Sequence, residues 1–394
     1  MEKPKHKEPS RWQRLNSLKT LAELFQVLPE KSPAVTSCSL MSLLAVLPAL
    51  ATLVFSRGGE ITDWYHWLFM MMKIIGNLGL LFAVFMFFWR RYRKGNRTVS
   101  LWVYVKLNGL WIFLLAMLGW SILSTLFSTN PTLSFAGDSY RKDGLESYLA
   151  YAGIFALALQ LREQKHVMLV LNLFAGSAAL LAFVGWLNHP QVNETFQITP
   201  EKSIFCNSNH YGYYICMSIM AAVLLFAADR LVARRKWLVR GLLLLHGLEL
   251  ALLAHALIQS QTLGALLAVA LALIALIVLA FWVNRKRAWL VVLATLIVIG
   301  SAAISNNAWN FSSESSRLFA DFSVISETIA GEAVDQDAIN RVGSGRGKLL
   351  ISAVSFIAER PVFGYGPDNL GARYREAGVL NNDRPHNEII QFAA

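Results

Sequence analysis

Charge is what this chain has least of. Only 15% of its 394 residues are charged, while 55% are hydrophobic. Soluble domains carry about 25% charged residues, and the mean hydropathy of +0.44 agrees that this is not one. Cysteine is nearly as scarce. Cys38, Cys206 and Cys216 are an odd number, two of them in runs read as intramembrane, and none has metal-site spacing. That argues against a disulfide framework and a structural metal. Internal repeats and low-complexity tracts are missing too. The long apolar runs lack period-two alternation, which excludes barrel strands. Helices are then the structure able to satisfy its own backbone inside a bilayer.

What is present are long apolar stretches. A hydrocarbon core about 30 Å thick needs roughly 20 apolar residues per helix. Nine runs meet or approach that, at 34–55, 65–89, 103–127, 145–161, 167–187, 208–228, 241–259, 263–283 and 288–305, the fourth short with soft edges. The expected fold is an all-α polytopic membrane protein with nine or ten transmembrane helices. The first run is read as an uncleaved span, since eight more follow it.

Orientation follows from Lys and Arg, which gather in short cytoplasmic connections. The arm up to Lys31 carries seven, and "RRYRKGNR", "REQKH", "RLVARRKWLVR" and "NRKR" all fall on the same side. The N-terminus is therefore expected in the cytoplasm, and the net charge of +11 is explained by insertion rather than by nucleic acid. The expected organisation is a basic arm (1–33), a bundle of nine spans (34–305), a long outer loop (306–385) and the start of a further span (386–394). Within the loop, "GRGKLLISAVSFIAERP" places Leu349, Leu350, Ala353, Phe356 and Ile357 on one helical face. Ser352, Ser355 and Glu359 lie opposite. The spacing predicts a helix over about 346–359, lying along the outer boundary over a cavity and ended by Pro361 and the glycines after it.

Two short motifs are misleading. "GSGRGK" (343–348) lacks the first Gly and the final Ser/Thr of a phosphate loop. "DQD" (335–337) resembles the acidic pair of nucleotide-sugar transferases but sits outside, beside Glu332, where nucleotide sugars are not supplied. It reads as solvated loop.

The remaining polar signals lie at the outer ends of spans: "SFAGDSYRKDG" (134–144), "IFCNSNHYGYY" (204–214), "IQSQTLGALLAV" (258–269), the stretch 341–371, and "RPHNEIIQ" (384–391). A diphosphate leaving group develops negative charge that Arg stabilises with paired hydrogen bonds. Arg346 is the first candidate, then Arg141, Lys348 and Arg384. An acceptor hydroxyl needs a positioned base, and histidine titrates in the useful range. His386 is the one His of eight in the large outer loop. Each has a plain alternative. Arg346 reads equally as a solvated cation, and His386 as a helix cap with Asn387 or Asp383 beside it. Asn207, Asn209 and His210 either line a cavity or cap the sixth span. His246 and Glu249, three apart, are expected to satisfy each other.

The order Arg346, amphipathic helix, Pro361–x–x–Gly364–x–Gly366, His386–Asn387 resembles the O-antigen ligase and polymerase family of bacterial membrane glycosyltransferases. The resemblance covers the chain from about Arg141 onward. It implies a GT-C-like helical fold in the bacterial cytoplasmic membrane. The implied reaction is metal-independent, cofactor-free transfer of a glycan from an undecaprenyl-diphosphate carrier to a hydroxyl of a lipid, glycan or protein acceptor. It implies His386 as base, with Arg346, Arg141, Lys348, Arg384, Asn387, Asn207 and His210 as substrate contacts, and no nucleic-acid partner. Two departures stand out. Ser260–Gln261–Thr262–Leu263–Gly264 stands where many members carry Ser-Arg-Gly. Relatives also continue through further spans after the His-Asn motif, so the chain reads as truncated. A transporter or flippase of lipid-linked sugars is the competing class, but its inverted repeats and paired broken helices are not seen. A non-catalytic remnant of the enzyme is the third.

Overall fold

A computed structural model describes residues 32–55, 61–93, 109–138, 141–161, 163–187, 199–205, 207–232, 235–305, 346–379 and 384–394, with positions 320, 323, 324, 326, 327, 337 and 342 between them. The basic arm, most of 306–345 and Asp383 lie outside the described residues. The described helices are α1 (Ser32–Phe55), α2 (Ile61–Arg93), α3 (Leu110–Leu126), α4 (Pro131–Ala136), α5 (Leu145–Ala158), α6 (Gln164–Leu187) and α7 (Ser208–Val232). They continue as α8 (Lys236–Gln259), α9 (Leu263–Val283), α10 (Arg285–Ser305), α11 (Gly347–Glu359), α12 (Leu370–Glu376) and α13 (Glu388–Ala393).

Seven of these, α1, α2 and α6 to α10, are long and apolar enough to cross a membrane. The chain is a multi-pass all-α membrane protein. Over the third and fourth expected spans the described helices have 17 and 14 residues, and positions 103–108 of the third lie outside the described residues. At 1.5 Å per residue, α5 reaches only about 21 Å. One side of it faces protein, where Ala150, Ala152 and Leu157 are fully buried, while Tyr151 and Phe155 are exposed. An apolar run of this length is as often a buried core helix as a span.

The chain divides into two compact units. The unit of residues 38–72 and 161–317 is built around α7, whose Ile215, Ile219, Ala222 and Leu225 are inaccessible. It packs on α6, α8, α9 and α10. His246 and Glu249 do pair, Nδ1 to Oε2 at 2.6 Å. The tight turn after α8 puts Gln261 at φ 50°. There the Thr262 hydroxyl donates to the Ser208 carbonyl at 3.0 Å, seating the turn on the start of α7.

The unit of residues 1–37, 73–160 and 318–394 holds the rest of α2, α3, α4, α5 and α11 to α13. Within it α2 and α5 cross with their backbones in contact. A Cβ on Gly76 would strike the Ala150 carbonyl, and one on Gly153 would strike the Gly76 carbonyl. Small residues permit such close crossings, which drive helix association where no hydrophobic effect acts. The Lys73 ammonium donates to Glu146 at 2.9 Å across the same crossing.

Helix α11 forms where its spacing predicts. Leu349, Ala353 and Phe356 are buried against Tyr365, Leu370, Tyr374 and Val379, so its apolar face is covered by its own loop. Ile351 and Val354, on another side, are 49% and 56% exposed.

Candidate functional site at the outer loop

The segment after α11 wraps the end of α3. Ser124 Oγ donates to the Phe363 carbonyl at 2.8 Å, and the Phe363 ring stacks on Phe127 with centroids 4.5 Å apart. The Thr129 amide donates to the Tyr365 carbonyl at 3.3 Å. Gly364 and Gly366 adopt φ of 63° and 95°, which favour glycine. Gly366 is needed for space as well, since a Cβ there would collide with Ser128 and Ser134.

The next residues hold the connection between α4 and α5. Asp368 Oδ2 accepts the Asp138 amide at 2.6 Å and the Asp143 amide at 3.2 Å. Asn369 Nδ2 donates to Ser134 Oγ, to the Asn130 carbonyl at 3.3 Å and to the Tyr365 carbonyl at 3.1 Å. Arg384 then reaches the same connection, its Nη2 lying 3.4 Å from Asp143 Oδ2. Burial pushes the Asp143 carboxyl above the usual carboxylate range. Arg384 pulls it back down, and nearby Asp368 adds to the rise.

These contacts gather several of the expected residues. Arg141 sits half-buried in the connection so held. Arg384 is half-buried, and its Nε finds no hydrogen-bond partner among the described residues. His386 is exposed at φ 54°, directly after buried Pro385. Asn387 is the N-cap of α13, its side chain accepting the Ile390 amide at 3.1 Å. This is the capping role that its sequence position allowed. Its carboxamide nitrogen is not used by the cap. Arg346 stands exposed at the N-cap of α11 without a side-chain capping bond, and the exposed Lys348 points its Nζ to within 3.4 Å of the Gly378 carbonyl.

A cleft of about 50 Å³ opens beside this assembly, lined by Trp120, Tyr148, Phe363, Gln391 and Phe392 among others. That is room for a few waters. Among the described residues no group of three His, Cys, Asp or Glu side chains could hold a metal ion.

Residues 248–394 match the family model described as O-antigen ligase. This stretch is similar to the O-antigen ligase family. No curated protein and no solved structure matches the chain.

The O-antigen ligase stretch contains Arg346, Lys348, Arg384, His386 and Asn387. Arg141, Asn207 and His210 lie before it. Asn207 and His210 sit exposed at the start of α7 in the unit built around that helix, where Asn207 Oδ1 accepts the Asn209 amide at 2.8 Å. Sequence reasoning missed Asp368 and Asn369. Their signal was their place directly after Gly364–x–Gly366–Pro367, in a turn where Asp and Asn tolerate left-handed backbone. It also missed the pairing of Lys73 with Glu146, whose partners lie 73 positions apart.

Proposed function

We propose that this chain transfers or polymerises a glycan, moving it from an undecaprenyl-diphosphate carrier to an acceptor hydroxyl at the outer face of the bacterial cytoplasmic membrane. The observation that carries this reading is the start of α11, inside the O-antigen ligase stretch. A helix N-terminus carries a partial positive charge and favours anions. Here Arg346 and Lys348 add two cations, and the first turn has no acid. A diphosphate answers that uncompensated charge. In this reading Arg346 makes paired hydrogen bonds to the donor phosphates, Arg141 binds the diphosphate equally in ground and transition states, and Lys348 and Arg384 share the charge that develops on the leaving group. His386 takes the proton of the acceptor hydroxyl as its oxygen attacks the anomeric carbon and the bond to phosphate breaks. Asn387 contacts the sugars. The arginines and lysine take the electrostatic role, so transfer is metal-independent.

The test is transfer from a polyprenyl-diphosphate glycan by the full chain in proteoliposomes. Arg346→Ala is expected to lower transfer at least 100-fold, the order seen for losing one charge-stabilising donor. Arg346→Lys restores only part of it, because Lys lacks the planar fork. His386→Ala abolishes transfer, and a chelator leaves the wild type unaffected. Undiminished transfer by Arg346→Ala overturns the assignment of Arg346, and chelator inhibition reversed by Mg²⁺ overturns the metal-free reading.

A further inference from the structure

The connection between α4 and α5 carries Arg141 inside a turn closed by the Lys142 amide donating to the Asp138 carbonyl at 2.8 Å, and this turn is held in place from outside. Its two flanking amides, of Asp138 and Asp143, both donate to one carboxylate oxygen of Asp368, a residue 230 positions beyond Asp138. Asp368 reaches them from a left-handed backbone at φ 60°, a conformation costly for most side chains and best tolerated by Asp and Asn. Asn369 beside it is buried and spends its carboxamide on Ser134 Oγ and the Asn130 carbonyl, which fixes α4, the element that delivers the connection. Hydrogen bonds to an ionised acceptor are roughly twice as strong as neutral ones. Here they bracket Arg141 in sequence.

We propose that Asp368 and Asn369 are positioning residues. They hold the Arg141 connection in the register at which its guanidinium meets the donor phosphates, and so couple the outer loop to a cation contributed by a distant part of the chain. The inference rests on the proposed function. A misplacement of about 1 Å at such a contact costs on the order of 100-fold, so a latch of this kind shows itself in donor use.

Asp368→Asn is the informative variant. It is isosteric and accepts the same left-handed backbone, so the turn is retained while the charged acceptor is lost. Transfer is measured in proteoliposomes against donor concentration, alongside hydrogen exchange at the Asp138 and Asp143 amides. Exchange at both amides is expected to speed up in Asp368→Asn. KM for the donor should rise on the order of tenfold, as for loss of a hydrogen bond to a charged group, with kcat little changed. Asp368→Glu should recover part of the KM. In an Arg141→Ala background, Asp368→Asn should add little, because both changes act on one contact. Faster exchange without a change in donor KM overturns the inference, and so does an effect undiminished in the Arg141→Ala background. Unchanged exchange removes the latch itself. By contrast, a wild-type protein that transfers nothing, or an Arg141→Ala variant with normal donor KM, counts against the proposed function, while the exchange data still judge the latch.

Discussion

At the scale of single residues, the segment from α11 to α12 is held by charged side chains whose partners lie far apart in sequence or across a turn. Arg373 Nη2 donates to Glu359 Oε1 at 2.7 Å and its Nη1 to Glu376 Oε2 at 2.9 Å. The Tyr365 hydroxyl also donates to Glu359. These bonds, Arg373's first, hold the Glu359 carboxyl below its ordinary value of 4.5. A carboxylate depressed on folding stabilises above its unfolded pKa and loses that contribution as pH falls through the folded value. Protection of the α11 and α12 amides from exchange is therefore expected to weaken as pH drops below 4.5. Arg373→Met should start from lower protection and show a flatter pH dependence. Identical profiles for the two proteins would show that this pair contributes nothing measurable. Sequence spacing could suggest that Arg373 and Glu376 meet, three apart on one helix. It could not place Glu359, which comes within reach only because the chain reverses at Pro361–Gly366.

At the scale of elements, the α2–α5 crossing is the tightest contact described. Gly153→Ala has no room, because its new methyl would meet the Gly76 backbone rather than a movable side chain. Overpacking of this kind costs about 1–3 kcal/mol, and Tm in detergent is expected to fall. Gly119→Ala and Gly300→Ala meet nothing within 4 Å and serve as controls. If all three variants melt alike, the crossing does not limit stability. Helix α11 shows how far periodicity goes. Its limits and its apolar face were legible because 3.6-residue spacing and the residues that end a helix are local. What covers that face was not, since Tyr365, Leu370 and Tyr374 arrive by a turn whose path depends on two glycines at positive φ.

At the scale of the whole molecule, seven helices of spanning length and a strict alternation of basic connections set the expected topology. With the N-terminus cytoplasmic, a cysteine at Ala377 is expected to react with an impermeant reagent in intact cells, and one at Arg235 only after permeabilisation. Both positions are exposed, so access is decided by the side of the membrane. Reaction of the probe at position 235 in intact cells inverts the topology, and with it the outward-facing site.

The membrane class, the long helices and α11 were written in the sequence by itself. Hydropathy, helical period and charge bias act over neighbouring residues, and a chain in lipid has few ways to satisfy its backbone. Tertiary structure alone buried Ala150, Ala152 and Leu157 of α5 against protein. It alone paired Lys73 with Glu146, and it alone bound the Arg141 connection to Asp368 and Arg384. Those contacts join residues 73 to 241 positions apart. No local signal encodes them, because a hydrogen bond between distant residues exists only once packing has brought its two groups within 3 to 3.5 Å.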